Sequence, residues 1–309
     1  MWYMVAVIEY FLAITLWSTT LTLVAVIVFQ NSIHTLYNNS PPLVFLFFSS
    51  SLAGLLYMCV LPVWMLISCG QVPSLRHHPI MLLTLDMIVQ NNRFLYDVAT
   101  LTLFARRLTI LLFPLKRPRL LTLIHVVATV ATFAVVTAAT TQMYATNIIG
   151  SAATVPEGCF SALCMSQMVN NHTTAVAIRF ILTSSIVVVG SAFLIALHKR
   201  HLMNKATTDA KINRMVNCVF YLRIILEVVP VIIDQILSKT VNATLSYYIG
   251  PYAAIGFATE CFAGTYFYFK VLKKTTYKVE VPPQRRNRQG SETVGRSAPG
   301  NRRMLSFIR

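Results

Sequence analysis

The sequence predicts an all-α membrane protein, a seven-transmembrane helix bundle with its N-terminus outside and its C-terminus inside. Three observations predict it: the composition, the number of long apolar runs, and the placement of Lys and Arg. Of the 309 residues 56% are hydrophobic and only 12% are charged, and the mean hydropathy is +0.63. Soluble domains contain about 25% charged residues. The chain is therefore expected to lie in a bilayer.

Seven apolar runs are long enough to cross a membrane, for which a helix needs about 20 residues. They cover residues 10–29, 43–67, 80–113, 120–143, 174–197, 215–237 and 247–269. We number these predicted helices 1 to 7 and assign residues 1–270 to one transmembrane domain. Residues 271–309 form a basic cytoplasmic tail, for which we expect disorder because its greater part is polar and rich in Gly, Ser and Arg.

The orientation follows from the loops, because Lys and Arg accumulate on the cytoplasmic side of a membrane. The cytoplasmic ends of helices 3 and 5, together with the loops that follow them, contain five of these residues each, and the chain from Lys270 onward contains eleven. Arg76 and Lys239 are the two on the opposite face. The formal net charge of +16 is thus explained by topology and by attraction to anionic lipid, and no nucleic-acid partner is expected.

Helix 3 contains a polar stripe within its apolar sequence. Asp86, Gln90, Arg93 and Asp97 are separated by four, three and four residues, a spacing that places them on one helical face. Ionisable side chains in lipid cost several kcal/mol unless they face a protein interior or a wet cavity. We therefore expect helix 3 to be the polar centre of the bundle.

Helix 6 repeats this arrangement with Arg223, Glu227, Pro230 and Asp234. Because helices 3 and 6 run in opposite directions, counting 1.5 Å per residue places Arg93 level with Glu227 and Asp97 level with Arg223. This predicts two ion pairs that latch helix 3 to helix 6. The alternative is that each helix pairs its own charges at i,i+4, Arg93 with Asp97 and Arg223 with Glu227.

Four polar residues lie nearest the outer mouth of the predicted bundle, and we assign the ligand pocket to them: Asp86, Gln90, Arg179 and Asp234. Acids outnumber bases inside the predicted bundle, which favours a ligand with hydrogen-bond donors or positive charge, bound water or protonated carboxyls. The alternative is that these residues form structural pairs around a wet vestibule.

Loop residues on the outer face suggest covalent modification. Cys69 is expected to pair with Cys159 or Cys164, because thiols outside the cell are in an oxidising environment. The sequons at Asn171 and Asn242 also fall on this face, which predicts a glycoprotein.

Enzyme signatures are absent from the sequence: it has no His-Glu-x-x-His, Gly-x-Ser-x-Gly, glycine-rich phosphate loop or Cys-x-x-Cys. We therefore expect no enzymatic activity, no cofactor and no metal site.

Several segments have a recognisable pattern: RRLTILLFP at residues 106–114, PEGCFSALC at 156–164, KINRM at 211–215 and IGPYAAIGFATE at 249–260. Together with the topology they resemble the nematode serpentine chemoreceptors, most closely class BC, which are G-protein-coupled receptors. In that family an acid–Arg pair precedes a Phe-Pro turn. The resemblance implies that Arg107 faces a G protein and that Cys159 or Cys164 is the loop cysteine. Arg106 stands where the family has an acid, which predicts raised basal activity.

The resemblance implies a multi-pass receptor of the plasma membrane for olfaction and sensory perception. Its partners would be a small-molecule ligand outside, membrane lipid, and a heterotrimeric G protein inside. The G-protein-facing residues would be Arg106, Arg107, Lys116, Arg117, Lys199 and Arg200. The alternative for each of them is a role in topology and lipid binding alone. A small transporter or proton-coupled carrier is the alternative, since buried charges also mark ion relays. An accessory membrane protein is a third.

Overall fold

The computed structural model describes residues 2–30, 41–112, 118–148, 159, 172–201, 208–241 and 252–276. Within these ranges the chain forms seven long helices: α1 (Trp2–Gln30), α2 (Pro41–Ser68), α3 (Pro79–Leu112), α4 (Pro118–Ile148), α5 (His172–His201), α6 and α7 (Tyr252–Thr276). Helix α6 has three consecutive parts, α-helical Thr208–Arg223, π-helical Ile224–Val228 and α-helical Val229–Val241. A short 3-10 helix, Pro73–His77, lies between α2 and α3.

Each predicted helix corresponds to one of these seven, in the same order. The observed helices extend beyond most of the predicted ends, because hydropathy marks the apolar centre of a helix and not its polar termini. Three of them begin at a proline, at Pro41, Pro79 and Pro118, where the fixed φ of the ring suits the first turn and the missing N–H costs nothing. Residue 113 and residues 247–251, included in predicted helices 3 and 7, lie outside the described residues.

Four of the described helices are long and apolar enough to cross a membrane, over Met4–Gln30, Pro42–Ser68, Leu120–Thr146 and Ala177–Lys199. Large hydrophobic side chains on their outer surfaces are exposed, among them Phe11, Val135 and Val188. Such surfaces suit contact with lipid and not with water. The fold is therefore all-helical and consistent with a multi-pass membrane protein.

Several hydroxyl side chains within these apolar helices form hydrogen bonds within their own helix. Thr15, Thr20 and Ser51 each donate a hydrogen bond to the carbonyl oxygen four residues earlier, at 2.7–2.9 Å. This pairing lets a polar side chain enter an apolar environment without an unsatisfied donor.

Helix α3 is the centre of the assembly, as its polar stripe predicts. It packs against α2, α4 and α5, while α7 packs against α1 and α6. Its buried side chains include Arg93, Asp97 and Arg107. Beside it, the rings of Trp17, Tyr57 and Phe257 from α1, α2 and α7 pack together, with Trp17 stacked on Tyr57 at 5.2 Å between ring centroids. The charged residues of α3 are thus enclosed by neighbouring helices.

Candidate functional site

Six charged side chains of the described helices form one buried ion-pair network. Three are acids and three are bases, and they come from α3, α5, α6 and α7: Arg93, Asp97, Arg179, Arg223, Glu227 and Glu260. The network has two ends, which share the carboxylate of Glu227.

The first end, which we call the Arg223 cluster, consists of the Arg223 guanidinium and the carboxylates of Asp97, Glu227 and Glu260. Arg223 Nη2 donates to Asp97 Oδ1 and lies 2.9 Å from Glu227 Oε2, while Nη1 lies 3.5 Å from Glu260 Oε1. None of these side chains is more than 4% exposed. One buried cation therefore contacts acids from three helices.

The second end, the Arg93–Arg179 cluster, has the opposite balance. Arg93 Nη2 donates to Glu227 Oε1 at 3.0 Å, and Arg179 donates to the same oxygen from Nη2 at 3.2 Å and from Nε at 3.3 Å. The Arg93 guanidinium also lies over the Phe257 ring, 5.2 Å from its centroid. Two guanidiniums here share a single carboxylate oxygen.

The π-helical part of α6 places Glu227 between the two ends. Within it the Val229 N–H donates to the Ile224 carbonyl five residues earlier. Pro230 has no N–H to donate to Leu226 O, the usual partner in an α-helix, so the ladder must change at this point. The Leu226 carbonyl instead lies close to α7, where a Cβ added at Gly256 would be 2.8 Å from its oxygen. The π-helical turn therefore contains Glu227, which contacts three arginines, and α7 comes close to it at the adjacent Leu226.

The structure brings together both pairs expected from spacing, Arg93 with Glu227 and Asp97 with Arg223. It also shows the i,i+4 contact between Arg223 and Glu227 that the alternative invoked. The other pair of that alternative, Arg93 with Asp97, is not an ion pair among the described residues, because Arg93 contacts Glu227 and Asp97 contacts Arg223. Arg223 can contact both Asp97 and Glu227 because a guanidinium has several donors.

The residues assigned to a ligand pocket lie in different surroundings. Arg179 belongs to the network, whereas Asp86 faces α4, where its Oδ2 accepts a hydrogen bond from the Tyr144 hydroxyl at 3.1 Å. Gln90 is half-buried. The side chain of Asp234 lies outside the described residues. Arg179 and Asp86 are therefore engaged with protein partners in this arrangement.

The residues assigned to G-protein contact are only partly described. Arg107 is buried, at 8% exposure, Arg106 is half-buried and Lys199 is exposed. Lys116, Arg117 and the side chain of Arg200 lie outside the described residues, as do both sequons, at Asn171 and Asn242.

The expected disulfide to Cys69 is wrong. Cys69 is a free thiol just beyond the end of α2, while Cys159 is disulfide-bonded. Because Cys69 is free, it is not the partner of Cys159. Cys164, the other candidate, lies outside the described residues. Among the described residues no three His, Cys, Asp or Glu side chains are grouped so as to hold a metal ion.

Sequence reasoning did not assign Glu260 a partner and placed Arg179 only in the ligand pocket. Each is the single charged residue in the apolar part of its helix. Neither therefore belongs to a row of regularly spaced polar residues from which a partner could be inferred. A lone charge in an apolar span is itself a signal that a buried partner exists. A lone charge thus indicates that the residue takes part in a buried ion pair, but it does not identify the partner.

No protein-family model matches the chain, and neither does any curated protein or solved structure.

Proposed function

We propose that this chain is a seven-transmembrane receptor of the plasma membrane, similar to the nematode serpentine chemoreceptors. It binds a small molecule from outside and activates a heterotrimeric G protein inside. The observation that carries the proposal is the buried network, which joins α3, α5, α6 and α7 within the helical assembly. Intact buried ion pairs add little net stability, whereas they are well suited to specifying one arrangement of the helices.

A ligand that favours a second arrangement would shift the population toward it. Helix α6 is the element most suited to move, because its hydrogen-bond ladder already changes at Ile224–Val228 and Pro230 follows directly. Displacing the part of α6 before this turn, Thr208–Arg223, would alter the contact of Arg223 with Asp97 and open space beside the cytoplasmic end of α3. Arg107 is buried in this arrangement, so a G protein would reach it only after such a movement.

The proposed orientation places the loops rich in Lys and Arg on the same side as the G protein, with the N-terminus outside. Glycosylation of Asn171 and Asn242 tests it independently of signalling. The expected result is a mass decrease on deglycosylation that is lost when both are changed to Gln. Retention of the full glycan mass in the double variant would contradict the assignment of these two sites.

Reconstitution tests the function. The purified chain is placed in liposomes with heterotrimeric G proteins, and nucleotide exchange is measured while a library of small molecules is applied. Ligand-stimulated exchange is the result expected of a receptor. Substrate uptake or current in liposomes without G protein would favour a carrier instead. If nucleotide exchange, uptake and current are all absent, the accessory membrane protein is the alternative that remains. Arg107→Gln should reduce exchange, whereas Lys270→Gln, an exposed cation near the end of α7, serves as the control.

A further inference from the structure

The two ends of the network differ in charge and in accessibility. The Arg223 cluster has three carboxylates around one guanidinium, so it is acid-rich. The Arg93–Arg179 cluster has two guanidiniums on one carboxylate oxygen, so it is cation-rich. The Arg179 side chain is 18% exposed, whereas the five other side chains are at most 7% exposed. The accessible part of the network is thus its positive end.

A second observation shows unused binding capacity at that end. Arg93 Nε is buried and has no hydrogen-bond partner among the described residues. Arg223 Nε and Nη1 are also without one, but they lie at the enclosed end of the network, where Asp97 Oδ2 and Glu260 Oε1 are unpaired acceptors. Glu227 Oε1 accepts from three nitrogen atoms of two guanidiniums, although a carboxylate oxygen has two lone pairs. Donors therefore exceed acceptors at this end, and a further carboxylate would correct the imbalance.

We infer that Arg93 and Arg179 form the recognition site for the anionic group of a small carboxylate ligand. The inference rests on the proposed receptor function and names the class of its ligand. A guanidinium presents two parallel N–H donors that match the two oxygens of a carboxylate, which gives strong and directional binding. A cationic ligand is disfavoured, because the acids that would attract it are enclosed and already bind Arg223.

Binding at this end exchanges one carboxylate for another. The ligand would take the donors of Arg179 and Arg93 that now contact Glu227 Oε1. Glu227 keeps a counter-ion throughout, because its Oε2 lies 2.9 Å from Arg223 Nη2. The exchange breaks the Arg93–Glu227 contact between α3 and α6 and does not itself involve the Asp97–Arg223 contact. Ligand recognition would therefore act directly on the connection between these two helices.

Thermal unfolding of the purified chain in nanodiscs tests this without a G protein. The probes are matched pairs of carboxylic acids and their primary amides: benzoate and benzamide, 3-phenylpropanoate and its amide, hexanoate and hexanamide. We expect at least one acid to raise the unfolding midpoint by about 2–5 °C at concentrations well above its Kd, and its amide to have no effect. Arg179→Gln should abolish the shift, and Arg179→Lys should weaken it because the forked donor is lost. Lys270→Gln, which changes an exposed cation near the end of α7, should retain it.

Three results would overturn the site: no acid stabilises the chain, the amides stabilise it equally, or the shift persists in Arg179→Gln. Failure of the site and failure of the receptor function are distinguishable. Acid-selective binding without nucleotide exchange supports the site and contradicts the receptor. Exchange stimulated only by ligands without an anionic group, and unchanged in Arg179→Gln, supports the receptor and contradicts the site.

Discussion

Arg223 and Arg179 contact the same buried carboxylate, yet they stand in opposite surroundings. Arg223 lies among acids from α3, α6 and α7, and its side chain is 2% exposed. Arg179 lies beside a second guanidinium, shares one oxygen of Glu227 with it, and is 18% exposed. Removing Arg223 leaves the buried Asp97 and Glu260 without a basic partner, whereas removing Arg179 leaves Glu227 with two. The Arg223 cluster should therefore be required for folding, whereas the Arg93–Arg179 cluster should tolerate the loss or exchange of one partner.

Arg223→Gln should have the largest effect. Three buried carboxylates would lose their shared counter-ion, and breaking a buried pair in this way typically costs about 3–5 kcal/mol. We expect little folded protein at the cell surface and a large fall in the unfolding midpoint of whatever can be purified. Lys270→Gln provides the matched control, since Lys270 is exposed. Normal surface expression of Arg223→Gln, with an unchanged midpoint, would show that the cluster is not needed for folding.

Gly256→Ala should have an intermediate effect, because it tests how closely α7 approaches the altered turn of α6. A Cβ at this position would lie 2.8 Å from the Leu226 carbonyl oxygen, so backbone must shift, at a cost of about 1–3 kcal/mol. Gly264→Ala on the same helix is the control. Its Cβ would meet Val219 Cγ2 at 3.7 Å, an ordinary contact, so this change should be neutral or stabilise α7 by about 0.5–1 kcal/mol.

The two glycine variants are compared by thermal unfolding in the same nanodiscs. Equal midpoints for Gly256→Ala and Gly264→Ala would mean that the close approach to Leu226 is not required. A lower midpoint for Gly256→Ala alone would support the link between α7 and the π-helical turn.

Arg179→Gln should have the smallest effect on folding. Glu227 would keep Arg93 at 3.0 Å and Arg223 at 2.9 Å, and the lost side chain is partly exposed, so the expected cost is about 1 kcal/mol or less. The measurement is the unfolding midpoint without any ligand. A loss as large as that of Arg223→Gln would remove the distinction between the two ends.

Much of this arrangement could be predicted from the sequence because charges within α3 and α6 recur at helical spacing. Counting depth along two antiparallel helices places Arg93 level with Glu227 and Asp97 level with Arg223, although it does not exclude pairing within each helix. The structure contains both contacts between the helices. Helix order followed equally directly from hydropathy.

Other features depend on tertiary packing that spacing does not encode. Glu260 is not part of a row of polar residues on α7. Its contact with Arg223 could therefore be found only once the relative positions of the helices were known. The π-helical turn arises from Pro230 together with the nearby backbone at Gly256, which are separated along the chain. The prediction that Cys69 forms a disulfide was wrong. It rested on the oxidising environment shared by the outer loops, whereas the geometry of the loops decides which cysteines can pair.

The most direct test of the account is a double-mutant cycle on the contact between α3 and α6, with Asp97→Asn, Arg223→Gln and the two combined. Unfolding of each variant in nanodiscs, with urea or heat, provides the change in stability. We predict that the combined variant loses less than the sum of the single changes, with a coupling of about 1–3 kcal/mol, because the second change removes a charge that the first had left unpaired. Additive losses would contradict the ion pair on which the network, and the proposed switching of α6, depend.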